Sequence, residues 1–137
     1  MKKRISILGS TGSIGANTLE VLSHLKDQFS IQYLSANRNT ILLLEQAKKY
    51  RPKAVAVADE TLYSSINNEL ETMGIDLLIG REGLLELAGR VDVDIMLNGL
   101  VGFSGMEPTL KAIQAGVDVA LSNKESLVMA GKIINEE

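Results

Sequence analysis

Ile5-Ser6-Ile7-Leu8-Gly9-Ser10-Thr11-Gly12-Ser13-Ile14-Gly15 decides the fold: a short apolar run leads straight into three glycines spaced three apart. A buried parallel strand that turns sharply into a helix needs a residue without a Cβ at the turn, and Gly9 supplies it. A side chain at Gly12 would intrude on a pyrophosphate passing close by, and Gly15 lets the helix pack tightly on the first strand. Unpaired N–H groups at the helix start would receive the negative charge. Thr11 and Ser13 add hydroxyl donors, and Ser13 also reads as the helix N-cap. The spacing is G-x-x-G-x-x-G rather than G-x-G-x-x-G, and a glycine triplet alone also fits a plain turn with no ligand. The context raises it: strand before, helix after, and a second strand ending roughly 20 residues on are what dinucleotide binding requires. No Gly-Lys-Ser/Thr closes the stretch, so a Walker-type loop fits worse.

Outward from this stretch the chain reads as one domain. Its 137 residues suffice for a real core, and 45% hydrophobic against 23% charged residues is an ordinary globular balance. A net charge of −3 gives no electrostatic case for nucleic acid, and Lys2-Lys3-Arg4 is too short for a phosphate-tracking patch. The absence of cysteine removes disulfides, thiolate metal sites and a cysteine nucleophile from this chain. The apolar run after Arg4 is interrupted too soon for a signal peptide, and no segment approaches the roughly 20 apolar residues of a membrane span, so the expectation is a soluble protein.

Behind the loop, Ile14, Thr18, Val21, Leu22 and Leu25 recur at helical spacing and are expected to face the sheet. His24, the single histidine, falls beside that stripe near a helix end and carries no chemistry. Phe29 to Leu34 forms a second strand ending at Ser35-Ala36-Asn37-Arg38-Asn39. An NAD site generally places Asp or Glu here for the ribose 2′-hydroxyl, whereas an NADP site avoids the acid and offers a cation to the 2′-phosphate. This turn has no acid and one arginine. Arg38 can grip a phosphate bidentately, with Asn37 and Asn39 as neutral donors. The plainer alternative is that Asn39 or Thr40 caps the next helix and Arg38 is solvated.

A second helix is expected over Thr40 to Tyr50, stopped by Pro52, and a fully apolar strand over Ala54 to Ala58. Leu62, Ile66, Leu70 and Met73 mark a third helix ended by Gly74; Ile75 to Ile79 is a strand and Leu84 to Ala88 a short helix closed by Gly89. Val93 to Leu97 is a central strand delivering Asn98-Gly99-Leu100-Val101-Gly102, with Asp92 and Asp94 in a charged loop at the far edge of the sheet. Pro108 opens a helix running through Leu110 and Ile113 to Gly116. Asp118 to Leu121 is the next strand, ending in Ser122-Asn123-Lys124-Glu125-Ser126. Ser122 and Glu125 have capping-box spacing ahead of Leu127 to Ile134, which leaves Asn123 and Lys124 unexplained. Right-handed crossovers bring every strand end to the edge that carries the glycine loop, so Lys124 is expected at the same cleft. The alternation specifies an α/β, doubly wound (Rossmann-like), mostly parallel sheet, truncated at its C-terminal edge.

Asn123-Lys124-Glu125-Ser126-Leu127, read with Ile7 to Gly15, closely resembles the 1-deoxy-D-xylulose 5-phosphate reductoisomerase family in its N-terminal NADPH-binding region. The resemblance covers essentially the whole chain, including Ser35 to Asn39, Val101-Gly102, Pro108-Thr109-Leu110 and Ala115-Gly116. It implies an enzyme of non-mevalonate isoprenoid biosynthesis that rearranges 1-deoxy-D-xylulose 5-phosphate and reduces the resulting aldehyde with NADPH, giving 2-C-methyl-D-erythritol 4-phosphate. It further implies a Mg or Mn ion acting as Lewis acid, a homodimer and a bacterial cytoplasmic location. By position, Thr11, Gly12, Ser13 and Ile14 would hold the pyrophosphate side of NADPH. Asn37, Arg38 and Asn39 would surround the adenosine 2′-phosphate, Asn123 and Glu125 would lie near the nicotinamide, and Lys124 would contact substrate. A glycine is common in the family where Asn37 stands, and asparagine tolerates left-handed backbone better than most residues. The implied metal ligands and the catalytic and C-terminal domains would follow the last residue here. The expectation is therefore a 1–137 NADPH-binding fragment, inactive alone. Two other readings are weighed beside it: a free-standing NADP-binding regulatory module, and the cofactor domain of another G-x-x-G-x-x-G reductase of the aspartate-semialdehyde or dihydrodipicolinate type. The Asn123 to Leu127 motif separates these best.

Overall fold

A computed structural model describes residues 2–100 and 105–121. Along the chain lie β1 (Lys3–Leu8), α1 (Ser13–Ser23), β2 (Phe29–Ala36), α2 (Thr40–Tyr50), β3 (Ala54–Val57), α3 (Tyr63–Thr72), β4 (Asp76–Ile79), α4 (Gly80–Ala88), β5 (Ile95–Asn98), α5 (Met106–Gln114) and β6 (Asp118–Leu121). A single 3-10 turn, Glu60–Leu62, leads into α3. The strands form one sheet in the order β4-β3-β2-β1-β5-β6, every adjacent pair parallel. The chain therefore steps outward from β1 to β4, returns across the sheet to β5, and steps outward again to β6.

That path fixes where the helices go. Right-handed crossovers moving one way along a sheet stack on one face, and those moving back stack on the other. Accordingly Ile5, Ile7, Leu34, Val55 and Val57 pack with Leu19 of α1, Leu43 and Ala47 of α2, and Ile66 and Leu70 of α3. The alternate residues Leu8, Ala54, Ala56, Met96 and Val119 pack with Leu84, Leu87 and Ala88 of α4 and Ala112 of α5. Because both faces are covered, β3 can be wholly apolar; all four of its residues are buried. β1 and β5 are neighbours whose connecting helices leave to opposite faces. They form the point at which the strand order reverses, where ligands bind in sheets of this kind.

Local chemistry sets the boundaries. The Asn39 side chain accepts from the Leu42 N–H at 3.2 Å to start α2, and Arg51 in left-handed conformation ends it before Pro52. Gly74 and Gly116, with φ of +73° and +81°, turn the chain out of α3 and α5. α4 begins at Gly80, a turn earlier than its apolar run suggests, and β5 begins at Ile95 rather than Val93. β2 continues through Ser35 and Ala36, so the turn after it is only Asn37 to Asn39.

Two sequence expectations are corrected in α1. The N-cap is Gly12, with no side-chain hydrogen bond, and Ser13 is the first helical residue. The buried row is Gly15, Leu19 and, partly, Leu22, whereas Ile14, Val21 and Leu25 are 42%, 58% and 36% exposed. Gly15 has to face the strand, and the helix rotates to put it there; the row of larger apolar residues follows outward. In α5 the same happens: Pro108 and Ala112 are buried while Leu110 and Ile113 are exposed. Small residues set how near each helix comes to the sheet, and the nearest row wins the buried face.

Candidate functional site

The C-terminal ends of β1, β2, β3 and β5 open on one edge of the sheet, and two of the loops there, after β1 and β5, are built on glycine. At the end of β1, Gly9 takes φ +71°. A Cβ on Gly9 would lie 3.0 Å from the Gly99 carbonyl carbon, and one on Gly99 would lie 2.9 Å from the Leu8 carbonyl oxygen. The Gly99 N–H donates to that oxygen at 2.8 Å. The loops after β1 and β5 thus touch backbone to backbone at the reversal point.

The glycine loop is held from beneath by a polar cluster that sequence reasoning missed. The Gly9 N–H donates to the Ser35 hydroxyl at 2.9 Å, and the Ser10 N–H to the Ser35 carbonyl at 2.8 Å. Ser10 Oγ donates to Gln46 Oε1 at 2.7 Å, and Gln46 Nε2 returns a hydrogen bond to the Ser10 carbonyl at 2.8 Å. Ser10, Ser35 and Gln46 are all buried. β1, β2 and α2 are therefore tied through one loop whose own polar groups are satisfied internally. Such a network specifies a single loop geometry because breaking any member strands a buried partner.

What the loop offers outward is the opposite: unsatisfied donors. With Gly12 as N-cap and no acid in the first turn of α1, the helix start presents N–H groups and the positive end of its dipole without a competing carboxylate. A Cβ on Gly12 would meet only the Gly9 carbonyl oxygen at 3.5 Å, so its glycine is not demanded by packing. Gly12, Ser13 and Ile14 are exposed and Thr11 half-buried at this mouth.

Two strands away from β5, the turn after β2 places Asn37, Arg38 and Asn39, all solvent-facing or nearly so, beside the glycine loop. Among the described non-glycine residues only Arg51 has positive φ, so Asn37 makes this turn without left-handed backbone. Asn39 caps α2 through Oδ1, as the plainer alternative held. Arg38 is 76% exposed in its side chain and its Nε lies 3.1 Å from Asp59 Oδ2, at the end of β3. The structure brings together Thr11, Gly12, Ser13, Ile14, Asn37, Arg38 and Asn39 on one edge. Asn123, Lys124 and Glu125, with Ser122, Ser126 and the Val101-Gly102 segment, lie outside the described residues.

Asp92 and Asp94 sit at the other edge, each with its own partner. Tyr33 Oη lies 2.8 and 2.7 Å from the Asp92 oxygens and Lys53 Nζ 3.1 Å from one of them, while Arg4 pairs with Asp94 at 3.3 Å. They form a charged rim, as expected. Among the described residues no group of three or more His, Cys, Asp or Glu is placed to hold a metal ion, and no helix is long and apolar enough to cross a membrane.

An all-parallel sheet covered on both faces, reversing between β1 and β5 with a helix start that has no side-chain cap at the reversal, defines a Rossmann-like α/β domain. The particular family follows from comparison with known proteins. The model of the 1-deoxy-D-xylulose 5-phosphate reductoisomerase family matches residues 5–131, and the chain belongs to that family. The reductoisomerase of Chloroherpeton thalassium is 50% identical over 132 residues, covering 96% of this chain and 34% of that protein. That of Halothermothrix orenii is 45% identical, covering all of this chain and 37% of the relative. Among solved structures, the Zymomonas mobilis enzyme in complex with NADPH superposes with a TM-score of 0.85 at 35% identity, covering 97% of this chain and 35% of that one. A DOX-P reductoisomerase with NADPH, fosmidomycin and magnesium gives 0.84 at 32% identity over 98% and 33% of the two chains. The chain spans about a third of the length of the relatives it matches.

Proposed function

We propose that this chain is the NADPH-binding domain of a reductoisomerase that converts 1-deoxy-D-xylulose 5-phosphate to 2-C-methyl-D-erythritol 4-phosphate. The observation that carries it is the meeting, on one sheet edge, of an uncapped helix start with an acid-free turn bearing Arg38. The first suits a pyrophosphate and the second a ribose 2′-phosphate. Thr11, Gly12, Ser13 and Ile14 would hold the pyrophosphate through backbone N–H groups and hydroxyls. Arg38, flanked by Asn37 and Asn39, would hold the 2′-phosphate, its fork matching the oxygens of the anion. Asn123 and Glu125 take the nicotinamide end and Lys124 the substrate in this reading, on the strength of the motif they stand in. Bound NADPH supplies the hydride that reduces a carbonyl; the domain's own contribution is to bind and orient it.

The related magnesium-bound structure supports a divalent cation in the whole enzyme, and in this reading its ligands belong to the length of the full protein outside this chain. In this reading residues 1–137 form the cofactor domain, the metal-binding catalytic and C-terminal domains belong to the remaining length of the full protein, and the chain alone turns over no substrate. In this reading the whole enzyme acts as a homodimer in a bacterial cytoplasm; that its named relatives are bacterial supports the bacterial part of it.

The test is thermal protection by NADPH and by NADH, with Arg38→Ala beside the native chain. NADPH should raise the transition well above NADH, and Arg38→Ala should erase that difference, a loss of roughly ten- to a hundredfold in NADPH affinity for one charge-assisted contact. Equal protection by both nucleotides, or none, would overturn the assignment.

A further inference from the structure

Asp59 closes β3 one strand beyond the turn that carries Arg38, and its carboxylate is divided between two tasks. Oδ1 accepts from the Thr61 N–H at 3.0 Å and the Thr61 hydroxyl at 2.6 Å, which fixes the turn ahead of α3. Oδ2 faces Arg38 Nε at 3.1 Å. The backbone laces the same two turns together: the Ala58 N–H donates to the Ala36 carbonyl at 3.0 Å and the Asp59 N–H to the Asn37 carbonyl at 3.1 Å. The Asp59 side chain is 23% exposed, far less than that of Arg38. The anchored member of the pair is the acid, and the arginine reaches back to it.

An ion pair this open adds little stability. Its effect is on position. An arginine has one Nε–H and four further N–H groups on its two terminal nitrogens, in a rigid plane. The carboxylate lies on the Nε side as a charge contact without hydrogen-bond geometry, which leaves the terminal fork free, and that fork is the edge that fits two oxygens of a phosphate.

We propose that Asp59 is a positioning residue for 2′-phosphate recognition, drawing the Nε side of Arg38 by its charge so that the terminal fork is presented at the mouth of the site. This rests on the nucleotide assignment above. It is not the only sign available for an acid in this place. A carboxylate close to a dianionic phosphate also repels it, and if repulsion dominated, removing the charge would tighten NADPH binding. Orientation dominating means the reverse.

Asp59→Asn separates the two tasks. The amide oxygen still accepts from Thr61, and the neutral amide no longer attracts the Arg38 guanidinium. Affinities of the native chain, Asp59→Asn, Arg38→Ala and the double variant would be measured by calorimetry for NADPH, NADH, adenosine 2′,5′-bisphosphate and AMP. Asp59→Asn should lose about five- to tenfold for the two 2′-phosphorylated ligands, leave NADH and AMP unchanged, and add nothing on top of Arg38→Ala, as expected of coupled neighbours. Asp59→Ser, whose hydroxyl can also accept from the Thr61 N–H but carries no charge, should lose as much as Asp59→Asn and answers the question if Asp59→Asn folds poorly, while Arg38→Lys, which has no planar fork to present, should lose at least as much as either. An unchanged or tighter NADPH affinity in Asp59→Asn, or full preference in Arg38→Lys, overturns the proposal. Failure of the underlying assignment looks different: the native chain would not prefer 2′-phosphorylated ligands, or Arg38→Ala would leave the preference intact.

Discussion

Gly15 and Gly9 meet where no side chain fits: a Cβ on Gly15 would overlap the Gly9 carbonyl oxygen and lie 2.7 Å from Ser10 Cα. Both obstructions are backbone, and the loop they belong to is locked by Ser35 and Gln46. Gly15→Ala therefore has to push α1 off the sheet, at a cost of about 1–3 kcal/mol, and should abolish nucleotide protection along with it. Gly12→Ala is the contrast. Its Cβ makes one ordinary contact and its backbone, φ −74° and ψ 169°, suits any residue. It should fold with a loss under about 1 kcal/mol and still weaken NADPH binding at least tenfold. Urea denaturation with nucleotide titration distinguishes the two; similar stability losses would remove the argument for a ligand at Gly12.

Gln46→Leu tests the support beneath the loop. Leucine fills similar volume but leaves the buried Ser10 carbonyl without Gln46 Nε2 and the Ser10 hydroxyl with only the Ser35 carbonyl, at 3.2 Å, as acceptor, costing about 1–3 kcal/mol. Because the network shapes the pyrophosphate end and not the Arg38 turn, NADPH and NADH affinities should fall together with their ratio kept. A changed ratio would show that Gln46 acts on the second turn instead.

How much of this could be read beforehand depends on the range of the interaction. Gly9, Gly12 and Gly15, the strand before them and the limits of α2 and β6 are matters of neighbouring residues, and the sequence pattern located them. The buried face of α1 was misplaced because a glycine carries no weight in a count of apolar spacing, although Gly15 is the residue that sets the helix's approach. Gln46 was invisible for a related reason: a polar residue on an amphipathic helix reads as solvated until the strand beneath supplies Ser10. Arg38 with Asp59 and Tyr33 with Asp92 join residues far apart in sequence, and only the strand order makes them neighbours.

Asn98 ties the end of β5 to α5. Buried, it donates through Nδ2 to the Gly105 carbonyl and to Thr109 Oγ1, both at 2.7 Å, and accepts from the Leu100 N–H at 3.0 Å. Asn98→Ala removes all three bonds and leaves the Leu100 N–H unanswered, so about 2 kcal/mol should be lost. Thr109→Val, which spares the other two, should cost about half that. Equal losses would mean that the Thr109 contact is the one that matters.

Tyr33 and Asp92 give the fold a dependence on pH at both extremes. Burial pushes the Asp92 carboxyl up, but hydrogen bonds from Tyr33 and Lys53 outweigh it and hold the group below the ordinary carboxylate value. Burial, then the bond to Asp92, raises Tyr33 above the usual phenol value. The Asp92 contribution is complete above its unfolded pKa of about 3.9 and is lost as pH falls through the lower folded value. The Tyr33 contribution is complete below about 10 and is lost as pH rises through the higher folded one. Tyr33→Phe removes the Tyr33 contribution and the tyrosine's share of the Asp92 one, leaving the Lys53 contact, at about 1 kcal/mol at neutral pH given the partial exposure of Asp92. Asp94 is also held low, first by its hydrogen bond with Arg4, so an acid limb persists in the variant, reduced in size. Urea denaturation from about pH 3 to pH 11 should show the difference between native and variant shrinking at both ends. A difference that stays constant across that range would mean the tyrosine hydroxyl contributes by packing and not through the charged pair.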